Sequence, residues 1–173
     1  GNPGAKYEQT RHNAGQDWLT QLANEAGISL TPEKRFFGDY GQGLIAGHKL
    51  HLLIPNTFMN LSGQAVQALC NFYKIDTQNI LVAHDELDLP PGTARLKLGG
   101  GHGGHNGLRD IINKRSGDKD FHRLRLGIGH PGDAKLVTNY VLKKAPLDER
   151  ISITNSMDKA IKAMPEAISG QWQ

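Results

Sequence analysis

Apolar residues change their spacing repeatedly along this chain, from helical periodicity to short alternating or unbroken runs. Helical spacing covers residues 14–26, 64–73, 106–115 and 147–168, and strand-like runs cover residues 40–46, 49–54, 80–83, 93–98 and 123–128. Helices that alternate with strands are typical of an α/β fold, because each helix buries its apolar face against a sheet. The pattern therefore predicts an α/β protein, a three-layer sandwich with a mixed, mostly parallel central sheet.

The length and composition indicate one domain. The chain has 173 residues, and no internal repeat, low-complexity tract or Pro/Ser-rich linker divides it, so we expect residues 1–173 to form a single domain. The one cysteine, Cys70, excludes an internal disulfide framework and indicates a reducing compartment. No apolar run approaches the ~20 residues of a membrane span, so no membrane partner is expected. The net charge of +3 permits an anionic partner without requiring one.

Polar residues that can carry chemistry lie in segments that follow strands or open helices, namely 1–15, 55–63, 84–92 and 99–106. Ligands of open α/β sheets bind beyond the carboxyl ends of strands, so these segments are the first candidates. His12 stands at a helix start, where a neutral imidazole can act as a general base. Asp85 follows an apolar strand and can orient that base. The alternatives are an ordinary surface histidine and an aspartate that only caps a turn.

Asn60 offers a second kind of chemistry. It precedes a helix that Ser62 is expected to cap, and its amide can hold a substrate carbonyl or a water molecule. The alternative is that Asn60 only tethers its own turn. The neighbouring Phe58 and Met59 are more often core residues than walls of a binding site.

The segment 99–106 is unusually rich in glycine, with five glycines in eight residues. It gives the backbone freedom to approach a ligand closely but lacks the Gly-Lys-Ser/Thr ending of a Walker loop. His102 and His105 form a weak zinc signal, which keeps a metal-dependent hydrolase as an alternative. Asn106 can cap the following helix.

Basic residues are concentrated near this glycine-rich segment. Lys97 and Arg125 lie on strand faces, where cations are usually only solvated. Beside a binding site, the same side chains can hold phosphates. Few aromatic residues interleave with them, so the sequence does not favour a platform that stacks nucleobases.

Together these segments resemble the motifs of the bacterial peptidyl-tRNA hydrolase family. The motifs are Gly1-Asn2-Pro3-Gly4 with Tyr7, Thr10-Arg11-His12-Asn13-x-Gly15, Thr57-Phe58-Met59-Asn60-x-Ser62-Gly63, His84-Asp85-Glu86-Leu87-Asp88, the glycine-rich residues 99–107, Phe121-His122-Arg123-Leu124-Arg125 and Gly127-x-Gly129-His130-Pro131-Gly132. They occur in the family's order and at its spacing over nearly the whole chain, which makes the resemblance specific.

The resemblance implies a monomeric, cytoplasmic esterase without metal or other cofactor. Its substrate would be prematurely released peptidyl-tRNA, cleaved between the peptide and the 3′-terminal ribose so that the tRNA is recycled. His12 would be the base that activates water, and Asp85 would hydrogen-bond it. The resemblance also implies three groups of binding residues. Asn60 and Asn106 would hold the peptide backbone and the attacking water, with Asn2 close by. Tyr7, Phe58 and Met59 would form the walls of the pocket, and Lys97 and Arg125 would clamp a tRNA phosphate.

The sequence departs from the family pattern at its two ends. Family members begin with an apolar strand before the Gly-Asn-Pro-Gly turn, and they continue where this chain stops at Gln173. We therefore expect that an N-terminal strand, which would lie inside the sheet, and a C-terminal end are missing from the sequence shown. A non-catalytic RNA-binding relative is the alternative function, since a plant organellar splicing factor shares this fold.

Overall fold

The structure, a computed structural model, describes residues 1–170. The helices in that range are α1 (Ala14–Ala26), α2 (Ser62–Tyr73), α3 (Asn106–Lys114), α4 (Val137–Val141) and α5 (Leu147–Ile168). The strands are β1 (Thr31–Glu33), β2 (Gly38–Ile45), β3 (His48–Pro55), β4 (Leu81–Glu86), β5 (Ala94–Leu98) and β6 (His122–Gly127). Within these residues no helix has the length and hydropathy needed to cross a membrane. The expectation about the C-terminal end lies outside the described residues.

The periodicity of the sequence locates most of these elements. Helices α1 and α5 have the predicted bounds, and α1 ends where Gly27 takes a φ of 69°, the left-handed conformation that closes a helix. Strand β4 continues three residues past the predicted end at residue 83. Pairing with β6 persists to the last residue of β4, so His84 and Asp85 belong to the strand rather than to a loop.

Helix α2 begins two residues earlier than predicted, and Ser62 does not cap it. Ser62 is the first residue of α2, and its hydroxyl donates to the main-chain oxygen of Met59 at 2.7 Å. The hydroxyl bonds within the preceding 3₁₀ turn, Met59–Leu61, and makes no cap bond to an α2 amide. That turn holds Asn60 directly in front of the helix.

The strands form two three-stranded sheets rather than one central sheet. The first has the order β1-β2-β3 and is antiparallel, and the second has the order β4-β6-β5. In the second sheet β4 and β6 are parallel, whereas β5 and β6 are antiparallel. The mixed α/β class is thus confirmed, but a mostly parallel sheet is not. One physical reason is the tight turn at Ala46 and Gly47, both with positive φ, which returns β3 antiparallel to β2.

The core connects the helices to both sheets. The larger apolar cluster includes buried residues from α1, β3, β6 and α5, among them Trp18, Leu22, Leu52, Leu126 and Met157. A smaller cluster under α3 contains Leu108, Ile111 and Phe121. A largely apolar cavity of about 460 Å³ lies between β3 and β4 and is lined by residues of both strands.

Candidate active site

Close packing of α1 on β4 brings His12 to the carboxyl end of β4. Gly15 permits this approach, because a Cβ at that position would lie 2.1 Å from the main-chain oxygen of Ala83. A larger residue would push the start of α1 away from the strand. The 3₁₀ turn Arg11–Asn13 leads directly into α1, so the same approach fixes the position of His12.

His12 and Asp85 are hydrogen-bonded although 73 residues separate them along the chain. His12 Nδ1 lies 2.9 Å from Asp85 Oδ2, and both side chains are buried. An ionised carboxylate only accepts hydrogen bonds, so Nδ1 carries a proton, and in the neutral form of the ring Nε2 has the lone pair. The expected meeting of these two groups is therefore present, and the alternative of an ordinary surface histidine is excluded.

A second histidine, His105, shares the same carboxylate. Its Nε2 lies 2.7 Å from Asp85 Oδ1, and its Nδ1 accepts from the main-chain N–H of Leu108 at 3.2 Å. Because Nδ1 is an acceptor, His105 is neutral with its proton on Nε2. His105 therefore caps α3, whereas Asn106, the predicted cap, is the first residue of that helix.

Burial and hydrogen bonding determine the charge of this cluster. Burial by itself would raise the pKa of Asp85, but His105 and His12 outweigh it and hold the pKa well below its usual range. Burial lowers the pKa of His84 to about 4, and His84 Nδ1 donates to the main-chain oxygen of Asp85 at 2.8 Å. Near neutral pH the cluster thus holds an ionised Asp85 beside a neutral His84.

A cavity of about 840 Å³ adjoins the cluster, and we call it the site cavity. Its lining includes all ten residues that the resemblance implied for the site: Asn2, Tyr7, His12, Phe58, Met59, Asn60, Asp85, Lys97, Asn106 and Arg125. Segments far apart in sequence therefore contribute to one concave surface, the usual form of a small-ligand site.

The amide of Asn2 has a defined orientation. Its Oδ1 accepts from the main-chain N–H of Met59 at 2.6 Å, so Nδ2 is the atom available to a ligand. Asn13 holds Asn2 in place through its main chain: Asn13 Oδ1 accepts from Asn2 N at 2.6 Å, and Asn13 Nδ2 donates to Asn2 O at 2.9 Å. The sequence analysis did not select Asn13, although it stands next to His12 in the same motif.

The remaining amides and the walls differ in exposure. Asn60 and Asn106 are exposed at the site cavity, and Asn106 Oδ1 accepts from Arg109 at 3.2 Å. Phe58 is 53% exposed and meets Tyr7 edge to face with ring centroids 6.1 Å apart. Met59 is buried. Phe58 is thus a wall residue rather than core, whereas Met59 is buried and also lines the cavity.

The basic side chains at the site cavity have different partners. Arg123, which is buried, donates to the main-chain oxygens of Gly100 and Gly101 at 2.6 and 2.9 Å and so anchors the glycine-rich segment. Arg125 Nε donates to Glu86 Oε1 at 2.9 Å. Lys97 forms no ion pair with any residue of the described range.

The metal alternative can be tested against the ligand geometry. Within residues 1–170, the one group of three side chains that could hold a metal ion is His12, Asp85 and His105, whose ligating atoms lie within 4.8 Å of one another. His102, which the zinc alternative required, is not part of it, and its Nδ1 accepts from Gly104 N. The pair of histidines proposed from sequence is therefore not assembled as a metal site.

Known proteins match this chain over its whole length. A family model described as peptidyl-tRNA hydrolase matches residues 1–173. The chain belongs to the peptidyl-tRNA hydrolase family. The peptidyl-tRNA hydrolase of Saccharophagus degradans is 58% identical over 173 residues, which are 100% of this chain and 88% of that protein. The enzyme of the same name from a Marinomonas species is 56% identical over 170 residues, 98% of this chain and 88% of that one.

Solved structures of the peptidyl-tRNA hydrolase family agree with the fold. The crystal structure of peptidyl-tRNA hydrolase from Acinetobacter baumannii superposes with a TM-score of 0.95 at 50% sequence identity. It covers 99% of this chain and 86% of its own. The family identified from the motifs is thereby confirmed, and with it the enzyme class, a hydrolase of peptidyl-tRNA.

Proposed function

We propose that this chain hydrolyses the ester bond between a peptide and the 3′-terminal ribose of tRNA, with His12 as the general base. One observation carries the proposal: a buried imidazole, oriented by a carboxylate 2.9 Å away, lines a cavity rich in carboxamides. Family membership supplies the substrate, and the geometry supports the roles that we propose for the residues. An ester is activated enough that a positioned water and a neutral base suffice.

Proton transfer would proceed through His12 Nε2. Asp85 keeps the His12 proton on Nδ1, so Nε2 can take a proton from a water molecule as that water attacks the ester carbonyl. The carboxylate then stabilises the imidazolium that forms, as in the His–Asp pairs of other hydrolases. In the last step the imidazolium returns the proton to the ribose oxygen that leaves.

The carboxamides would act on the reacting centre and on the peptide main chain. Asn2 presents Nδ2, a donor of fixed orientation, and a fixed donor can stabilise the negative oxygen of the tetrahedral intermediate. Asn60 and Asn106 would hold the peptide backbone and the attacking water. Because these contacts involve main-chain groups, peptides of any sequence can be accepted.

The outer part of the site cavity would bind the rest of the substrate. Tyr7, Phe58 and Met59 would contact the peptide, and Lys97 and Arg125 would hold a tRNA phosphate. A phosphate contact would favour tRNA over other peptide esters, since positively charged side chains supply most of the affinity for nucleic acids.

We further propose that residues 1–173 form one domain that acts as a monomer in the cytoplasm without a metal ion. The larger core cluster, which joins α1 and α5 to strands of both sheets, supports one domain. The hydrogen bonds of Asp85 to His12 and His105 account for both carboxylate oxygens, which supports chemistry by these side chains alone.

The test is hydrolysis of an N-blocked aminoacyl-tRNA by the purified chain after dialysis against EDTA. We expect release of the blocked amino acid and of intact tRNA at the rate of the undialysed protein. Binding of the tRNA without turnover would contradict the proposal and support the RNA-binding alternative. Turnover that returns only when Zn²⁺ is added would support the metal alternative.

A further inference from the structure

Within residues 1–170, Glu86 is the one acidic side chain that forms an ion pair with a lysine or arginine of the site cavity. Its Oε1 accepts from Arg125 Nε at 2.9 Å, and its Oε2 accepts from the main-chain N–H of Asp88 at 3.3 Å. Both carboxylate oxygens are therefore held, one by the turn after β4 and one by Arg125. The side chain of Glu86 is 19% exposed and that of Arg125 is 21% exposed, so most of each side chain is shielded from solvent.

The contact restricts the way in which Arg125 can bind an anion. A guanidinium can offer a phosphate either Nε with one Nη or both Nη atoms, in each case as a fork of two parallel donors. Glu86 occupies Nε, which leaves the fork of the two Nη atoms. Neither Nη forms a hydrogen bond within residues 1–170, and Arg125 lines the site cavity.

We propose that Glu86 is a positioning residue that orients Arg125 for bidentate binding of a tRNA phosphate and so determines the preference for tRNA over small esters. This inference rests on the proposed function, because it assigns a cause to the phosphate contact of Arg125. Strand pairing makes the arrangement possible. Arg125 is the β6 partner of His84, so Glu86, two residues further along β4, lies on the same face of the sheet.

Orientation and charge have opposite effects on binding, so the two can be separated. A carboxylate beside a phosphate repels it, and its removal alone would strengthen anion binding. Loss of orientation would instead weaken binding, because the arginine must then be ordered at the moment of contact. The direction of the change in Glu86→Ala therefore distinguishes the two roles.

The experiment measures kcat and KM on two substrates, an N-blocked aminoacyl-tRNA and the same acyl group on adenosine, which carries no phosphate. The ratio of interest is kcat/KM for the tRNA substrate divided by kcat/KM for the adenosine substrate. We expect Glu86→Ala to lower this ratio by about tenfold, the effect of losing one charge-assisted hydrogen bond, and mainly by raising KM for the tRNA substrate. Glu86→Gln retains an acceptor for Arg125 Nε and should stay within about threefold of the wild type. Glu25→Ala, an exposed change near the far end of α1, is the control and should leave the ratio unchanged.

A double-mutant cycle shows whether Glu86 acts through Arg125. Arg125→Ala should lower the ratio at least as much as Glu86→Ala, and the double variant should be no worse than Arg125→Ala alone. The inference would be overturned if the losses of the two single variants multiplied in the double variant. It would also be overturned if Glu86→Ala raised the ratio, or if Glu86→Ala lowered kcat/KM equally on both substrates. If the wild-type chain cleaves neither substrate, the proposed function fails instead, which distinguishes the two failures.

Discussion

Replacement of Asp85 by asparagine tests how the carboxylate controls the base. Asp85 now accepts two N–H donors, His12 Nδ1 at Oδ2 and His105 Nε2 at Oδ1. An asparagine amide has one oxygen and one NH₂ group, so only one imidazole can still donate to it. His105 must keep its proton on Nε2, because its Nδ1 accepts from Leu108 N at the start of α3. The amide oxygen of the variant therefore faces His105.

The NH₂ group of the variant then faces His12 and forces its other tautomer. Nδ1 of His12 becomes an acceptor, and the proton moves to Nε2, the atom that must accept a proton from water. The base is lost although its position is kept. We expect kcat to fall by about 10²–10⁴-fold, the usual contribution of a general base, with KM for tRNA nearly unchanged.

The assay combines steady-state hydrolysis of an N-blocked aminoacyl-tRNA with nitrogen NMR of the histidine rings. Asp76→Asn is the matched control, because Asp76 is exposed and makes no side-chain hydrogen bond within residues 1–170, and it should keep the wild-type rate. If Asp85→Asn kept more than a third of the wild-type kcat, or if His12 kept its proton on Nδ1, the reasoning would be wrong.

Three further changes test other parts of the structure. Gly15→Ala should lower the free energy of unfolding by ~1–3 kcal/mol in denaturant titrations, because its Cβ would meet the main chain of Ala83. Gly101→Ala is the control and should not lower it, because a Cβ at that position lies in open space. Equal stabilities of the two variants would contradict the packing argument. His84→Gln should flatten the loss of stability below pH 6.5. A histidine of the unfolded chain binds its proton near pH 6.5, whereas the folded wild type binds the His84 proton only near pH 4. The free energy of unfolding of the wild type therefore falls by up to about 3 kcal/mol as the pH drops from 6.5 to 4. If the dependence of thermal stability on pH were the same in the variant as in the wild type, this reasoning would be refuted. Lys97→Ala should reduce the slope of log K against log salt for tRNA by about 1, and an unchanged slope would exclude a phosphate contact.

The sequence predicted those features that depend on local patterns. Helices α1 and α5 have regular apolar spacing, and in α1 Gly27 marks the end, so their bounds were predicted correctly. The position of Asp85 directly after an apolar strand made it a candidate partner for His12, and the hydrogen bond between them was implied by the resemblance to the family's motifs.

The remaining features depend on pairing between distant segments. Apolar spacing does not reveal whether neighbouring strands run parallel, so the division into two sheets was not foreseen. The shared use of Asp85 by His105 follows from the position of α3 relative to β4. The Glu86–Arg125 contact likewise follows from the register of β4 on β6, which no local motif specifies.

Catalysis by His12 can be measured in a single-turnover reaction with His12→Ala and a blocked aminoacyl-tRNA, with tRNA affinity determined in parallel. We expect the rate of ester cleavage to fall by about 10²–10⁴-fold while the Kd for tRNA stays within about threefold of the wild type. Cleavage at the wild-type rate by His12→Ala would show that another group activates the water and would contradict the mechanism.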